Sequence, residues 1–249
     1  MAPEREPSAA RTRPPLARRA LRAAAVCAAV ASALACSWTL PAAASAQEVG
    51  DVVELPRPER TGDVSLEAAV EDRRSRREYA DRPLSLDDLG QLLWAAQGIT
   101  DPGRDLRAAP SAGALYPLEV YVAAGEVSEL ENGVYRYRPG GHELVRVSGG
   151  DRRGELTRAA LNQSWIRSAP AVVVIAAVYE RTERRYGDRT RRYVHMEVGA
   201  AAENIYLQAE ARDLATVLVG AFRDGRVGDV LDFPDDHAPL GLMPVGHRP

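Results

Sequence analysis

The alternation of apolar and polar residues predicts helices and strands in irregular order along the chain. Residues 118–124 (LEVYVAA) and 171–179 (AVVVIAAVY) are nearly continuous apolar runs, which is the pattern of strands buried on both faces. Two alternating segments, GVYRYRP and HELVRVS, meet at Pro139-Gly140-Gly141, and this arrangement predicts a hairpin. We expect two further core strands, over residues 215–222 (ATVLVGAF) and 241–247 (GLMPVGH).

Apolar residues at helical spacing predict four helices. Ser65 is placed to cap a short helix through LEAAVEDRR, and Ser85 is placed to cap a second helix that Gly98 ends. A long helix is predicted around residues 192–212, and RVGDVLD predicts a short one. The apolar face of the long helix is formed by Val194, Val198, Ala201, Ile205 and Ala209. Because strands and helices are mixed and include a hairpin, we expect an α+β domain rather than regular βαβ units.

The first 46 residues have the composition of an export signal. A basic segment that contains Arg18-Arg19 precedes the apolar run AAAVCAAVASALACSWTL and the small residues Ala44-Ser45-Ala46. At about 18 residues, the apolar run is marginal for a membrane span. We therefore predict cleavage before Gln47, a periplasmic or extracellular location and no stable membrane insertion afterwards. Arg18-Arg19 resembles a twin-arginine signal, and a lipoprotein site at Cys36 is an alternative.

The remaining chain is predicted to form an extended lead-in and one domain. Residues 47–64 are polar and interrupted by prolines, whereas residues 65–249 contain no second linker and no internal repeat. A chain of about 200 residues is long enough to bury one core without disulfides. Both cysteines, Cys27 and Cys36, lie in the predicted leader, so the mature chain cannot form a disulfide.

Charge and composition narrow the possible chemistry. The predicted leader carries six arginines and two glutamates, so the rest of the chain has 26 basic and 33 acidic residues and a net charge of −7. Such an acidic domain is a poor general binder of nucleic acid. There is no lysine in the chain, and the predicted mature protein has no cysteine, so thiolate, disulfide and Schiff-base chemistry are excluded.

The segment EDRRSRREY (residues 71–79) places four arginines in five positions. Three interpretations are open: a nucleic-acid patch, a solvated helix face, or a clamp for one phosphate group. The net charge disfavours the first. The segment falls where a helical pattern ends, so we expect the arginines to spread from a helix end into a loop. There, several guanidiniums and the Ser75 hydroxyl can surround a phosphate dianion.

Three other segments carry candidate chemistry. AAPSAGALYPLE (108–119) contains a loop of small residues before a strand, and VLVGAFRDG (217–225) opens a strand into a Gly-Ala step. Small residues allow backbone amides to approach a flat ligand closely, although most such loops are plain turns. RRYGDRTRRY (184–193) precedes the long helix and carries Tyr186 among arginines, and by itself it is typical of a solvated basic loop.

In this order, the four segments resemble the nitroreductase family, specifically its SagB-type (ThcOx-like) FMN-dependent dehydrogenase branch. The matching stretches are RRSRREYADRPLSLDDLGQLLWAAQGIT, RAAPSAGALYPLEVYV, GVYRYRPGGHEL, YGDRTRRYVHMEVGAAAENIYLQAEA and LVGAF…LMPVG. They span residues 65–249, and their combined order makes the resemblance specific. It implies a nitroreductase-like α+β fold, with a mixed sheet flanked by helices, and an intertwined homodimer that holds FMN at the subunit interface.

The resemblance also implies roles for individual residues. Those expected to hold the FMN phosphate and ribityl chain are Arg73, Arg74, Ser75 and Arg77. Those expected to border the flavin ring are Pro110, Ser111, Ala112 and Gly113. Gly220-Ala221 would approach the reactive ring nitrogen with a backbone N–H. Arg248 is a further candidate phosphate contact, and Arg76 is expected to face solvent.

One departure from the branch concerns catalysis. Azoline-forming members carry a Lys-Tyr pair that acts in proton removal, and the matching residues here are Arg185 and Tyr186. Arginine stays protonated at ordinary pH, so Arg185 can stabilise an anion but cannot act as that base. Tyr186 can still donate a proton or orient a substrate. The Gly-His and Gln-Asn dipeptides of the branch are replaced by Gly199-Ala200 and Glu203-Asn204, which argues against azoline oxidation.

The four histidines are the remaining candidates for metal binding. Their spacing does not fit a metal site, so we expect no metal and interpret all four as structural or surface residues. They are His142, His195, His237 and His247.

The main functional hypothesis is an exported FMN-dependent oxidoreductase that transfers two electrons in a ping-pong cycle on a small organic or peptide substrate. Because NAD(P)H is a cytosolic donor, we expect either an organic substrate with O₂ as acceptor or an exported redox partner. In a cytosolic protein, an NAD(P)H-dependent nitro- or quinone reductase would be the natural function. Two alternatives are an azoline oxidase that acts on a ribosomal peptide and a flavin-binding module without catalysis.

Overall fold

The computed structural model describes residues 50–249, so the predicted leader and its cleavage site lie outside the described residues. The strands are β1 Val52–Glu54, β2 Ile99–Asp101, β3 Leu106–Arg107, β4 Leu118–Ala124, β5 Gly133–Arg138, β6 Glu143–Gly149, β7 Ala171–Ala177, β8 Leu214–Thr216 and β9 Ala238–His247. The helices are α1 Leu66–Asp72, α2 Leu86–Gln97, α3 Arg153–Ala159, α4 Trp165–Ser168, α5 Glu180–Tyr186, α6 Thr190–Ala211 and α7 Asp224–Val230. Short 3₁₀ turns occupy Ala112–Ala114 and Gly187–Arg189.

In residues 50–249, seven strands form one sheet in the order β1-β6-β5-β4-β7-β9-β8, and neighbouring strands are antiparallel throughout, where the resemblance implied a mixed sheet. β2 and β3 form a separate pair. β4 and β7 lie at the centre and pair along their whole length, from Leu118 opposite Ala177 to Ala124 opposite Ala171. The two apolar runs are therefore the central strands, and β5 and β6 form the predicted hairpin.

Two apolar cores lie on opposite faces of the sheet. Because side chains alternate along a strand, Val122 and Val173 pack with α2 and α6, whereas Ala123 and Val174 pack with α3, α4 and α7. The sheet is thus the middle of three layers. The face predicted for the long helix is buried in the first core, through Val194, Val198, Ala201, Ile205 and Ala209.

Serine side chains start the first two helices as predicted. The Ser65 hydroxyl accepts a hydrogen bond from the Ala68 N–H at 3.1 Å, and the Ser85 hydroxyl accepts one from the Asp88 N–H at 3.0 Å. Gly98 follows the last residue of α2, and its N–H closes that helix on the Trp94 carbonyl. These caps satisfy N–H groups that have no partner within the helix.

The strand predicted over residues 215–222 is only partly correct. β8 ends at Thr216, and beyond it Val219 alone pairs with β9, in a single bridge to Leu242. The ladder is interrupted at Leu218, whose N–H donates to the hydroxyl of Tyr206 at 2.6 Å. A side chain of α6 thus takes the N–H that a continuous strand would have used.

The described part of the lead-in follows the domain surface. Val52–Glu54 forms β1 at the sheet edge and pairs with β6, while residues 55–62 have no regular structure. Among residues 50–249, no helix is both long enough and apolar enough to cross a membrane.

Replacing Ser85 by alanine is expected to lower the free energy of unfolding by about 1 kcal/mol, because the Asp88 N–H loses its acceptor. Urea denaturation followed by circular dichroism measures the change. Ser168→Ala is the control, because that exposed hydroxyl makes only one long bond, 3.4 Å from the Ser164 carbonyl. Equal losses in the two variants would contradict the capping role.

Candidate functional site

The arginine segment (residues 73–77) leaves the end of α1 and runs beside β8. Arg73 ends α1, with its N–H bonded to the Ala69 carbonyl. The Arg76 N–H donates to the Thr216 carbonyl at 2.9 Å, and the Ala80 N–H donates to the His247 carbonyl at 2.9 Å. The segment is therefore held by its backbone at the end of the sheet, which leaves its side chains available for other contacts.

Tyr206 of α6 joins the arginine segment to the residues before the Gly-Ala step. Its hydroxyl lies 3.1 Å from the Ser75 hydroxyl and accepts the N–H of Leu218. Since the phenol oxygen accepts from Leu218, its own proton is free to bond the Ser75 oxygen. Two segments that are distant in sequence thus meet on one buried side chain.

Three of the four arginines that were predicted to bind phosphate, Arg73, Arg74 and Arg77, are not held in strong ion pairs. Arg73 lies over the Tyr206 ring at 5.1 Å, and its nearest carboxylate, on the exposed Glu203, is 3.9 Å away. Arg77 lies over the Trp165 ring at 5.3 Å and forms no ion pair among residues 50–249. The Arg74 guanidinium folds back onto the backbone carbonyls of residues 71 and 73. Arg73 and Arg77 therefore keep most of their hydrogen-bonding capacity for a ligand.

Arg76 faces solvent only in part, since its side chain is 35 % exposed. Its guanidinium lies 3.6 Å from the carboxylate of Glu210, whose side chain is only 6 % exposed. Arg248 reaches the same carboxylate at 2.5 Å and also pairs with Asp213 at 3.4 Å. Arg248 lines a cavity of about 560 Å³ together with Arg76 and Arg77, so it lies beside the arginine segment, as predicted, but it is committed to Glu210.

The PSAG loop (Pro110–Gly113) has an unusual backbone. Gly113 has φ +64°, and Ala114 and Tyr116 also take left-handed conformations, with φ +52° and +46°. Such values are uncommon for residues with a side chain and require support from the surroundings. Part of that support is the Ser111 hydroxyl, which accepts the Tyr116 N–H at 2.9 Å.

The rest of the support comes from Glu197, a residue that the sequence interpretation missed. Its carboxylate accepts the Ala112 N–H at 2.8 Å and is also bonded by the Ser111 side chain. Burial raises the pKa of Glu197 above its ordinary value, and these two hydrogen bonds offset the rise only in part. A signal was present, since Glu197 is the one carboxylate on the buried face between Val194 and Ala201 of α6.

The candidate catalytic pair lies directly against the PSAG loop. A Cβ atom on Gly113 would be 2.8 Å from the Tyr186 hydroxyl and 2.9 Å from Nη1 of Arg185. A side chain at position 113 would displace both groups, and the φ of +64° also favours glycine there. Arg185 is exposed and lies 5.6 Å over the Tyr186 ring, which packs edge-on against Tyr193 at 4.9 Å. The structure thus brings the two predicted catalytic residues to the loop that was predicted to border a flavin ring.

The Gly-Ala step (Gly220-Ala221) is exposed and follows the bridge at Val219. A Cβ atom on Gly220 would meet nothing within 4 Å, so the backbone faces open space. The Ala221 carbonyl accepts a hydrogen bond from the Gln163 side chain at 2.8 Å. This bond anchors one end of the step and leaves the backbone of Gly220 accessible.

The predicted site residues therefore fall into two groups within one chain. The first contains the arginine segment, Arg248 and, through Tyr206, the Gly-Ala step. The second contains the PSAG loop, Arg185 and Tyr186. No hydrogen bond, ion pair or ring contact joins residues 73–77 to residues 110–113 in the described chain, and both groups are attached to α6, through Tyr206 and Glu197.

The four histidines have structural contacts. His142, His195 and His237 each bond a tyrosine hydroxyl, of Tyr137, Tyr179 and Tyr121 respectively. His247 is buried in β9. Within residues 50–249, no group of histidine, cysteine and acidic side chains could hold a metal ion.

Comparison with known proteins identifies the family. The sequence profile of the nitroreductase family matches residues 70–247, which include every candidate site residue except Arg248. The chain belongs to the nitroreductase family. It is accordingly an oxidoreductase of that family. A nitroreductase-like protein of Methanocaldococcus jannaschii is 48% identical over 200 residues, covering 80% of this chain and 99% of the relative.

Three further similarities bear on fold and chemistry. A solved nitroreductase-like structure from Ralstonia eutropha has a TM-score of 0.71 and 29% identity and covers 80% of this chain and 90% of its own, which confirms the predicted α+β fold. The NADPH-flavin oxidoreductase of Vibrio harveyi is 30% identical over 112 residues, 42% of this chain and 47% of the relative. The microcin B17-processing protein of Escherichia coli is 27% identical over 154 residues, 60% of this chain and 57% of the relative.

Replacing Glu197 by glutamine is expected to change how stability depends on pH. Because burial raises the folded pKa above the ordinary value of 4.5, the stability of the wild type is fully present below that pH and declines as the pH rises through the folded pKa. The glutamine variant lacks this loss, so its melting temperature relative to wild type should increase with pH.

Thermal unfolding of both proteins across the acidic and neutral range measures the difference. Glu203→Gln, on an exposed position of the same helix, should show a smaller dependence. A melting temperature of Glu197→Gln that falls relative to wild type as the pH rises would show that the ionised carboxylate is favoured instead.

Proposed function

We propose that this nitroreductase-family chain is an exported FMN-dependent oxidoreductase of the SagB-type branch, active as a homodimer on a small organic substrate. The observation that carries the proposal is the contact of Arg185 and Tyr186 with Gly113 of the PSAG loop. A proton donor and a cation then lie at the loop that the branch uses beside its flavin ring. The similarity to a flavin oxidoreductase of Vibrio harveyi supports the choice of cofactor.

The arginine segment fits the phosphate of a flavin mononucleotide. Arg73 and Arg77 have aromatic rings beneath them and no close carboxylate, so their N–H groups can form charge-assisted hydrogen bonds with phosphate oxygens. Ser75 adds a short hydroxyl donor between them, positioned by Tyr206. Arg74 would have to exchange its backbone carbonyl acceptors for the ligand. Arg76 and Arg248 would contribute charge while they remain paired with Glu210.

The two glycine sites fit the flat ring. Gly113 and Gly220 are exposed and carry no side chain that would separate a ligand from the backbone. Pro110, Ser111 and Ala112 complete the loop beside Gly113. A bound flavin would supply two-electron chemistry, and the residues of the chain would orient the ring and exclude water.

Arg185 and Tyr186 would act on the substrate. The exposed guanidinium of Arg185 can hold a substrate anion or stabilise negative charge that develops during proton removal. The Tyr186 hydroxyl can donate a proton or a hydrogen bond, and its packing against Tyr193 limits its rotation. The roles are therefore stabilisation of charge by Arg185 and proton transfer or orientation by Tyr186.

The homodimer is supported by apolar side chains that one chain leaves exposed. Leu66 and Val70 lie one turn apart on α1 and are 63 % and 56 % exposed, immediately before the arginine segment. Met196, beside the PSAG loop, is 63 % exposed. A second copy that covered these residues could bring the PSAG loop of one chain toward the arginine segment of the other, which would join the two groups.

The proposed location limits the electron donor. Outside the cytosol NAD(P)H is scarce, so we propose that an organic substrate loses two electrons and two protons and that O₂ is reduced to H₂O₂. The alternative donor is an exported redox partner. Ping-pong kinetics follow if donor and acceptor use the same pocket in turn.

Purified wild type should be yellow, and replacing both Arg73 and Arg77 by alanine should weaken FMN binding by at least about 100-fold. Each charge-assisted hydrogen bond that is lost contributes about 1.5–3 kcal/mol. Flavin absorbance and fluorescence titration with FMN measure the effect. The control replaces Arg104 and Arg158, two exposed arginines, and removes the same charge. A colourless wild type that does not respond to added FMN would refute the proposal.

A second candidate function is oxidation of azoline rings in a ribosomal peptide. It is favoured by the similarity to the microcin B17-processing protein and by the position of the Arg185-Tyr186 pair against the PSAG loop. It is disfavoured by arginine in place of lysine, because guanidinium does not deprotonate.

Arg185→Lys should raise turnover of an azoline peptide if the pair is a weakened form of the Lys-Tyr pair. Unlike guanidinium, a lysine ammonium can lose its proton and then act as a base. Mass spectrometry follows the loss of two hydrogens from the peptide. Arg184→Lys, at the adjacent exposed position, is the matched control, and no gain specific to Arg185→Lys would argue against this function.

A further inference from the structure

A second cluster of arginines lies outside the proposed flavin site, where two central strands separate. β4 and β5 are paired from Tyr121 to Ala124 only, so residues 118–120 of β4 have ladder partners in β7 alone. On the other side, residues 137–138 of β5 pair only with β6. The separation leaves a cavity of about 230 Å³ between the strands, here called the strand wedge.

The walls of the strand wedge carry more positive than negative charge. Its charged lining residues are Arg107, Glu119, Arg136, Arg138 and Arg181. Glu119 is nearly buried and pairs with both Arg136 and Arg181. Two acidic residues lie outside the lining. Glu143 forms an ion pair with Arg138, and the charge of Asp105 favours the protonated form of Arg107. The lining itself holds four arginines and one glutamate.

Arg107 has an N–H donor that no acceptor in the described chain uses. It forms no ion pair among residues 50–249, and its Nε atom is buried without a hydrogen-bond partner. Nη1 donates to the Gln97 side chain at 3.0 Å, and the guanidinium lies 4.4 Å over the Tyr116 ring. Burial lowers the pKa of Arg107, and the nearby carboxylates offset this only in part. A cation that is withdrawn from water in this way gains from an anionic ligand.

Arg181 connects the strand wedge to the candidate catalytic pair. Its Nη1 donates to the Tyr116 carbonyl at 2.9 Å, while Nη2 reaches Glu119. It precedes Arg185 by four residues on α5, so both side chains lie on the same side of the helix. Tyr116, three residues after the PSAG loop, is thus contacted by Arg107 at its ring and by Arg181 at its carbonyl.

We propose that the strand wedge is a binding site for the carboxylate or phosphate group of a small ligand, with Arg107 as its principal contact. Both groups present planar or tetrahedral oxygens that match the forked donors of arginine. The lining residues do not discriminate between a carboxylate and a phosphate, so the proposed ligand class is a small oxyanion. The site lies behind the PSAG loop and does not involve residues 73–77.

Isothermal titration with inorganic phosphate and, separately, with acetate tests the proposal. Titrations are made at constant ionic strength against chloride and with FMN in excess, so that phosphate does not enter the proposed nucleotide site. Wild type should bind at least one of the two anions, and the preferred anion assigns the site to a phosphoryl or to a carboxylate group. Arg107→Gln should weaken that binding by about tenfold or more.

Two controls make the result decisive. Arg107→Lys keeps the charge and should retain part of the affinity, and Arg158→Gln, at an exposed arginine outside both sites, should leave anion binding in the strand wedge unchanged. Circular dichroism verifies that each variant is folded. No binding of either anion by wild type at millimolar concentration, or equal affinity in wild type and Arg107→Gln, would overturn the proposal.

Discussion

The hydroxyl of Tyr206 holds the arginine segment and the end of β8 in fixed positions relative to the core. Its oxygen accepts the Leu218 N–H at 2.6 Å and lies 3.1 Å from the Ser75 hydroxyl. This bond lies between the end of β8 at Thr216 and the bridge at Val219, so it ties the interrupted end of the strand to α6. Ser75 is fixed by the same atom, and its neighbours Arg73 and Arg77 then rest on the rings of Tyr206 and Trp165.

The other half of the site depends on the same helix. Glu197 lies about two and a half turns before Tyr206 on α6 and binds the backbone of the PSAG loop. Both polar groups interrupt a helix face that is otherwise apolar and buried. Burying a carboxylate and a phenol costs free energy. The hydrogen bond that each accepts from a backbone N–H outside the regular strands and helices offsets that cost.

Local patterns predicted the central strands, the hairpin and four of the seven helices in residues 50–249. The helices α3, α4 and α5 were not predicted. The apolar runs gave β4 and β7, the glycines of the hairpin gave β5 and β6, and the serine caps gave the starts of α1 and α2. The sequence prediction failed where a distant side chain decides the outcome. The Leu218 N–H bonds the Tyr206 hydroxyl instead of β9, and Arg76 lies within ion-pair distance of Glu210 while it stays partly exposed. Glu197 was missed because the pattern of α6 does not reveal its partner, the backbone N–H of Ala112.

The contact between Gly113 and α5 has a mechanical consequence. The Tyr186 hydroxyl and Nη1 of Arg185 occupy the space where a side chain on Gly113 would begin, so the loop and the end of α5 are in contact. α5 ends at Gly187, where φ is +48° and no atom lies within 4 Å of the Cβ position, so this end of the helix has open space beside it. The room for a ligand beside the loop would therefore depend on the two side chains of α5 together with the loop, and not on the loop alone.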